Sequence, residues 1–183
     1  MLNLACDLSA RDDKPAALEQ ASAVLRVYQA DLGPLHPCTL VSMNNVSIYR
    51  RELGPIDEAL RMVDTALGAM RDKLGPDHPF TLNSAINKAS CLHDAGDLEG
   101  AATLQRETLD RLQKTMGLEH PDTLVCAGNL AITLRKSGGG AEAVALHRQV
   151  LAAMTEVLGP DHPNVSALLA WRLRNRDLEA QPT

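Results

Sequence analysis

Leu74-Gly75-Pro76-Asp77-His78-Pro79 decides how this chain is read, because the hexapeptide returns along it. Leu32-Gly33-Pro34-Leu35-His36-Pro37, Leu74 to Pro79, Met116-Gly117-Leu118-Glu119-His120-Pro121 and Leu158-Gly159-Pro160-Asp161-His162-Pro163 start 42 residues apart. Four matches without an insertion mark an internal repeat. Other positions keep the register: Thr39, Thr81 and Thr123; Asn3, Asn45, Asn87 and Asn129; Gly54, Gly96 and Gly138; Ala17, Ala59, Ala101 and Ala143; Leu25, Leu67, Leu109 and Leu151.

Each unit reads as two helices. Proline suits the first helical turn, where an N–H is not needed, so each His-Pro pair opens a first helix: Pro37 to Leu53, Pro79 to Ala95 and Pro121 to Ser137. Gly54, Gly96 and Gly138 fall where a left-handed residue ends it. A second helix follows from Ile56 to Lys73, Leu98 to Thr115 and Ala141 to Val157, stopped by Gly33, Gly75, Gly117 and Gly159 at the matching places and by the prolines beyond them. The recurring alanines allow close helix approach, and the leucines eight residues on fall on nearly the same face. Connectors of a few residues make neighbouring helices antiparallel. The expected fold class is all-α, a right-handed α-α superhelix of helix hairpins with a 42-residue period.

One repeat domain, 1-183, then divides into a truncated first repeat (1-32), repeats at 33-74, 75-116 and 117-158, a C-terminal capping helix (159-177) and a tail (178-183). Met1 maps into the middle of a first helix, which predicts a fragment of a longer array. The first-type helix from Pro163 to about Arg176 carries Trp171 in the Asn register and has Arg172, Arg174, Arg176, Asp177 and Glu179 to cover an apolar end.

Composition agrees with helices: 45% of residues are hydrophobic but only 2% aromatic, which favours closely packed Ala, Leu and Val. A formal charge of −5 supplies no basic footprint for nucleic acid. No apolar run approaches the roughly 18 to 20 residues of a membrane span, and the first residues lack the charge and apolar length of a signal peptide. A cytoplasmic location is expected, with Cys6, Cys38, Cys91 and Cys126 as free thiols, since none has a close ligand spacing to another.

With these residues laid out, the chain resembles tetratricopeptide repeats of the kinesin light chain type, whose pattern is LGPDHPxTLxSxxNLAxxLxxxGxxxEA. The likeness covers about residues 1 to 176 and is strongest at Leu74 to Leu82, Met116 to Leu124 and Asn129-Leu130-Ala131. Within that family it is similar to arrays of actinobacterial multidomain proteins, often carried behind a STAND or NB-ARC nucleotide-binding module. The chain departs from the pattern at Pro55, Asp97 and Gly139, where an aromatic usually follows the turn glycine, and at Lys88, where Leu or Val is usual and looser packing follows.

Chemistry is sparse. Histidines one repeat apart cannot share a zinc ion, since layers stack roughly 8 to 10 Å apart and ligands must lie about 2 Å from the metal. His36, His78, His120 and His162 are therefore structural residues of helix starts, while His93 and His147 are surface or internally satisfied. No P-loop, GxSxG, HExxH or GxGxxG pattern occurs, and Gly138-Gly139-Gly140 is a turn. Asp12-Asp13, Asp57-Glu58 and Asp97-Glu99 sit near second-helix starts, where the helix dipole favours acids. The expected chain is no enzyme and has no cofactor or metal.

The periodic asparagines stand apart, because Asn competes for backbone hydrogen bonds and is a mediocre mid-helix residue. Either they bond neighbouring repeats, or their amides grip an extended peptide backbone. The resemblance places Asn45, Asn87 and Asn129 on the concave face and implies peptide binding. On the same helical stripe lie Ser42, Tyr49 and Glu52; Ser84, Cys91 and Asp94; and Cys126, Thr133 and Lys136. Asn45, Asn87, Asn129, Ser42, Ser84, Tyr49 and Thr133 are thus the candidate site. The function expected is protein–protein interaction, with a protein or peptide partner on the concave first-helix face. The alternative is a structural spacer or weakly self-associating homo-oligomer segment of a larger regulatory protein. Neither nucleic acid nor membrane is an expected partner.

Overall fold

A computed structural model describes residues 14–175. The expectations resting on Asn3, Cys6, Asp12-Asp13, Arg176, Asp177, Glu179 and the tail fall outside them. Among the described residues there are eight helices and no strands: α1 (Lys14–Asp31), α2 (Pro37–Leu53), α3 (Ile56–Leu74), α4 (Pro79–Ala95), α5 (Leu98–Met116), α6 (Pro121–Lys136), α7 (Gly140–Leu158) and α8 (Pro163–Leu169).

The hexapeptide builds a stop and a start in six residues. Gly75, Gly117 and Gly159 take φ of 92°, 91° and 87° with ψ of 161°, 168° and 154°, a region essentially closed to residues with a Cβ. Three residues on, His36, His78, His120 and His162 hold extended backbone, and their Nδ1 atoms accept from the N–H of Cys38, Phe80, Asp122 and Asn164 at 3.1–3.2 Å. The intervening proline has no N–H, so the ring caps the first donor that needs a partner. Thr39 and Thr123 tie the turn down by donating from Oγ1 to the carbonyls of Gly33 and Gly117 at 2.8 Å.

Consecutive helices pack as antiparallel hairpins, and the core runs between them. Ala17, Ala59, Ala101 and Ala143 are fully buried at the contacts, and Leu67 is buried, with Leu109 and Leu151 packed partly buried against the main apolar cluster. Asp97 caps α5 by accepting from the Gly100 N–H at 2.9 Å. Lys88, the misfit in α4, meets Asp64 of α3 in an ion pair.

The capping helix departs from expectation. It stops at Leu169 instead of running to about Arg176. Trp171 N–H donates to the Leu168 carbonyl and Arg172 N–H to that of Ala167, both at 2.9 Å. That pair of bonds is a Schellman termination with Trp171, at φ 53°, in the left-handed position usually given to glycine. The indole is held by its surroundings: it stacks on the His147 ring at 3.8 Å between centroids, and the Arg135 guanidinium lies 4.2 Å from its ring centre. His147, half-buried, also bonds the Leu168 carbonyl through Nε2 at 2.8 Å. Residues 172–175 then leave the helix without regular secondary structure.

Candidate functional site

Besides packing on its neighbours in the chain, α2 packs on α4 and α4 on α6, so first-type helices of successive units meet directly.

All seven candidate residues are on these helices, and all are buried: Ser42, Ser84 and Thr133 to 0%, Asn45, Asn87 and Tyr49 to 1%, and Asn129 to 2% exposure. The asparagines differ in what they hold. Asn87 Nδ2 donates to Oδ1 of Asn44, whose own Nδ2 donates to Oδ1 of Asn45, each at 3.4 Å. This long amide relay links α4 to α2, an inter-repeat role. Ser42 and Ser84 hydroxyls have no hydrogen-bond partner among the described residues. Thr133 donates to the Asn129 carbonyl at 3.0 Å and faces His93 Nδ1 at 3.0 Å. Its one proton is spent on the carbonyl, so His93 Nδ1 carries the hydrogen of that second bond.

Asn129 grips a main chain. Its Nδ2 donates to the Arg174 carbonyl at 2.7 Å and its Oδ1 accepts from the Arg174 N–H at 2.9 Å. One carboxamide thus satisfies both polar groups of one residue, as a neighbouring strand would. The gripped residue belongs to the segment released by the early end of α8. Arg174 Nε donates to Oδ1 of Asn164 at 2.9 Å, and Leu173 packs against the main core cluster.

Beyond the clamp, Asn175 enters an ion network at the end of α2. Its Oδ1 accepts from an Arg51 Nη at 2.7 Å and its Nδ2 donates to Glu52 Oε1 at 2.7 Å. Arg51, with 8% of its side chain exposed, is ion-paired to Asp94 of α4, and Lys14 lies 3.5 Å from Glu52. Sequence periodicity pointed to Glu52 and Asp94 as stripe positions but passed over Arg51 and Asn175, which no register position marks, and Arg174 was read only as polar cover of the C-terminal end. Nearby, burial first, then the Lys136 and Arg51 charges, lowers the His93 pKa, against an opposing pull from Asp94. Burial pushes the Cys91 and Cys126 thiols up to about 12. No group of three metal-binding side chains occurs among the described residues, and no helix there is long and apolar enough to cross a membrane.

Family models described as tetratricopeptide repeat match residues 47–114, 84–139 and 123–164. Among solved structures, the chain is similar to a kinesin-light-chain-type protein of Podosopora anserina with nearly identical TPR-like repeats. That match has TM-score 0.73 and 25% identity and covers 93% of this chain and 81% of that one. A single-substitution variant of the same protein gives the same TM-score and identity over 93% and 80%. BtubC (BKLC) from P. vanneervenii shares the fold at TM-score 0.63 and 16% identity, over 82% of this chain and 61% of that one. No curated protein matches.

Proposed function

The chain belongs to the tetratricopeptide repeat family, whose arrays generally serve protein–protein interaction, and we propose that its concave first-helix face binds an extended peptide main chain through Asn129. The observation that carries this reading is the two-point bond between the Asn129 carboxamide and the main chain of Arg174. Such a contact ignores the side chain of the residue gripped and so tolerates many sequences. In this reading Thr133 fixes the Asn129 backbone, and the Asn87, Asn44 and Asn45 relay holds α2 and α4 in register beneath the groove. Ser42, Ser84 and Tyr49 supply buried packing of that floor.

Panning a random-peptide library against the intact chain tests the proposal. Peptides enriched on it should lose about tenfold in affinity on Asn129→Ala, the worth of roughly 1.4 kcal/mol in lost hydrogen bonds, while helicity by circular dichroism stays unchanged. Peptides that bind the folded Asn129→Ala chain as tightly as the parent would refute the assignment.

A further inference from the structure

We infer that residues 173–175 are the groove's own occupant, and that the groove selects a peptide carrying a carboxamide side chain next to the residue held by Asn129. The inference rests on the reading of this face as a peptide groove and adds what the groove recognises.

Three separate contacts seat the segment. Leu173 packs on the core, Arg174 is clamped through its main chain by Asn129 and through Nε by Asn164, and Asn175 is held by Arg51 and Glu52. They draw on α6, α8 and α2, so three consecutive residues of irregular chain tie these helices together, with Asn175 meeting Arg51 across 124 positions of sequence. The third contact is the selective one. Arg51 can only donate and Glu52, when ionised, can only accept. A side chain placed between them must accept on one side and donate on the other, which Asn and Gln do. An aspartate would set a second carboxylate against Glu52, and a lysine a second cation against Arg51. Arg51 is ion-paired to Asp94 and Glu52 to Lys14, and the two lie 3.8 Å apart, so a cation and an anion stand side by side where Asn175 sits. A site built around paired hydrogen bonds rejects the group that leaves one unmade.

A covalently attached occupant competes at a high effective concentration, so an incoming peptide must displace it. The probe is a fluorescein-labelled synthetic peptide copying residues 172–177, Arg-Leu-Arg-Asn-Arg-Asp, titrated by anisotropy against the full chain and its Asn175→Asp variant. The variant sets a carboxylate against Glu52 in the attached segment and opens the groove. The peptide should bind the variant about tenfold more tightly than it binds the parent chain. A second peptide, with its asparagine replaced by aspartate, should bind the opened variant about tenfold more weakly than the first. Equal affinity for parent and variant, or no binding to either, overturns the occupant. Equal affinity of the two peptides, with both lost on adding Asn129→Ala, overturns the carboxamide selection and leaves the groove reading standing. Binding that survives Asn129→Ala removes the groove reading itself.

Discussion

The helix-opening histidines show how one side chain answers a local deficit. Proline at the next position removes a donor, and the ring nitrogen takes up the N–H after it. In His120→Ala that donor, on Asp122, loses its acceptor, and the change should cost about 1 kcal/mol in urea unfolding, with His120→Asn recovering most of it. The helix-start role of these residues was legible from their spacing. The roles of the asparagines were legible only as a choice between two kinds of bond, and the folded chain makes both. Asn87 sits opposite Asn44, a polar neighbour absent from the other repeats, where Ile86 and Gly128 hold that register, so it bonds across helices. Asn129 faces an open main chain and clamps it. The repeat pattern treats the two as equivalent, and their surroundings decide between them.

At the scale of elements, the glycine stops separate backbone demand from packing. A Cβ at Gly117 or at Gly68 would meet nothing within 4 Å, yet Gly117 sits at φ +91° and Gly68 lies inside α3. The same change to alanine should therefore act in opposite directions. Gly117→Ala should lower stability by roughly 1 to 3 kcal/mol, and Gly68→Ala should raise it by about 0.5 to 1 kcal/mol, read as opposite shifts of the unfolding midpoint. Glycine and proline made nearly every helix boundary readable, and α2, α4 and α6 end within one residue of their expected limits. α8 was misread because its stop carries no such signal. A tryptophan takes the left-handed position there, held by His147 and Arg135 from other helices, which no local pattern encodes.

For the whole molecule, titration of the inner face adds a pH dependence to stability. His93 has a folded pKa below its unfolded value, so its neutral form is favoured by folding. That contribution is full above the unfolded pKa of about 6.5 and is lost as pH falls through the lowered folded value. The melting temperature should fall between about pH 7.5 and about pH 5, and the fall should be smaller in His93→Gln, measured by circular dichroism. The repeat made the solenoid legible because each unit touches its neighbours at a fixed offset. The bridge from Asn175 to Arg51 lies outside that logic, since it spans 124 positions and belongs to no register. Four residues before Asn175 stands the chain's sole tryptophan, Trp171. Its indole contacts an imidazole and a guanidinium, one residue before the irregular segment 172–175 begins. On the proposal that residues 173–175 fill the groove, lifting them should change the emission of that ring, which would serve as an intrinsic optical gauge of the event.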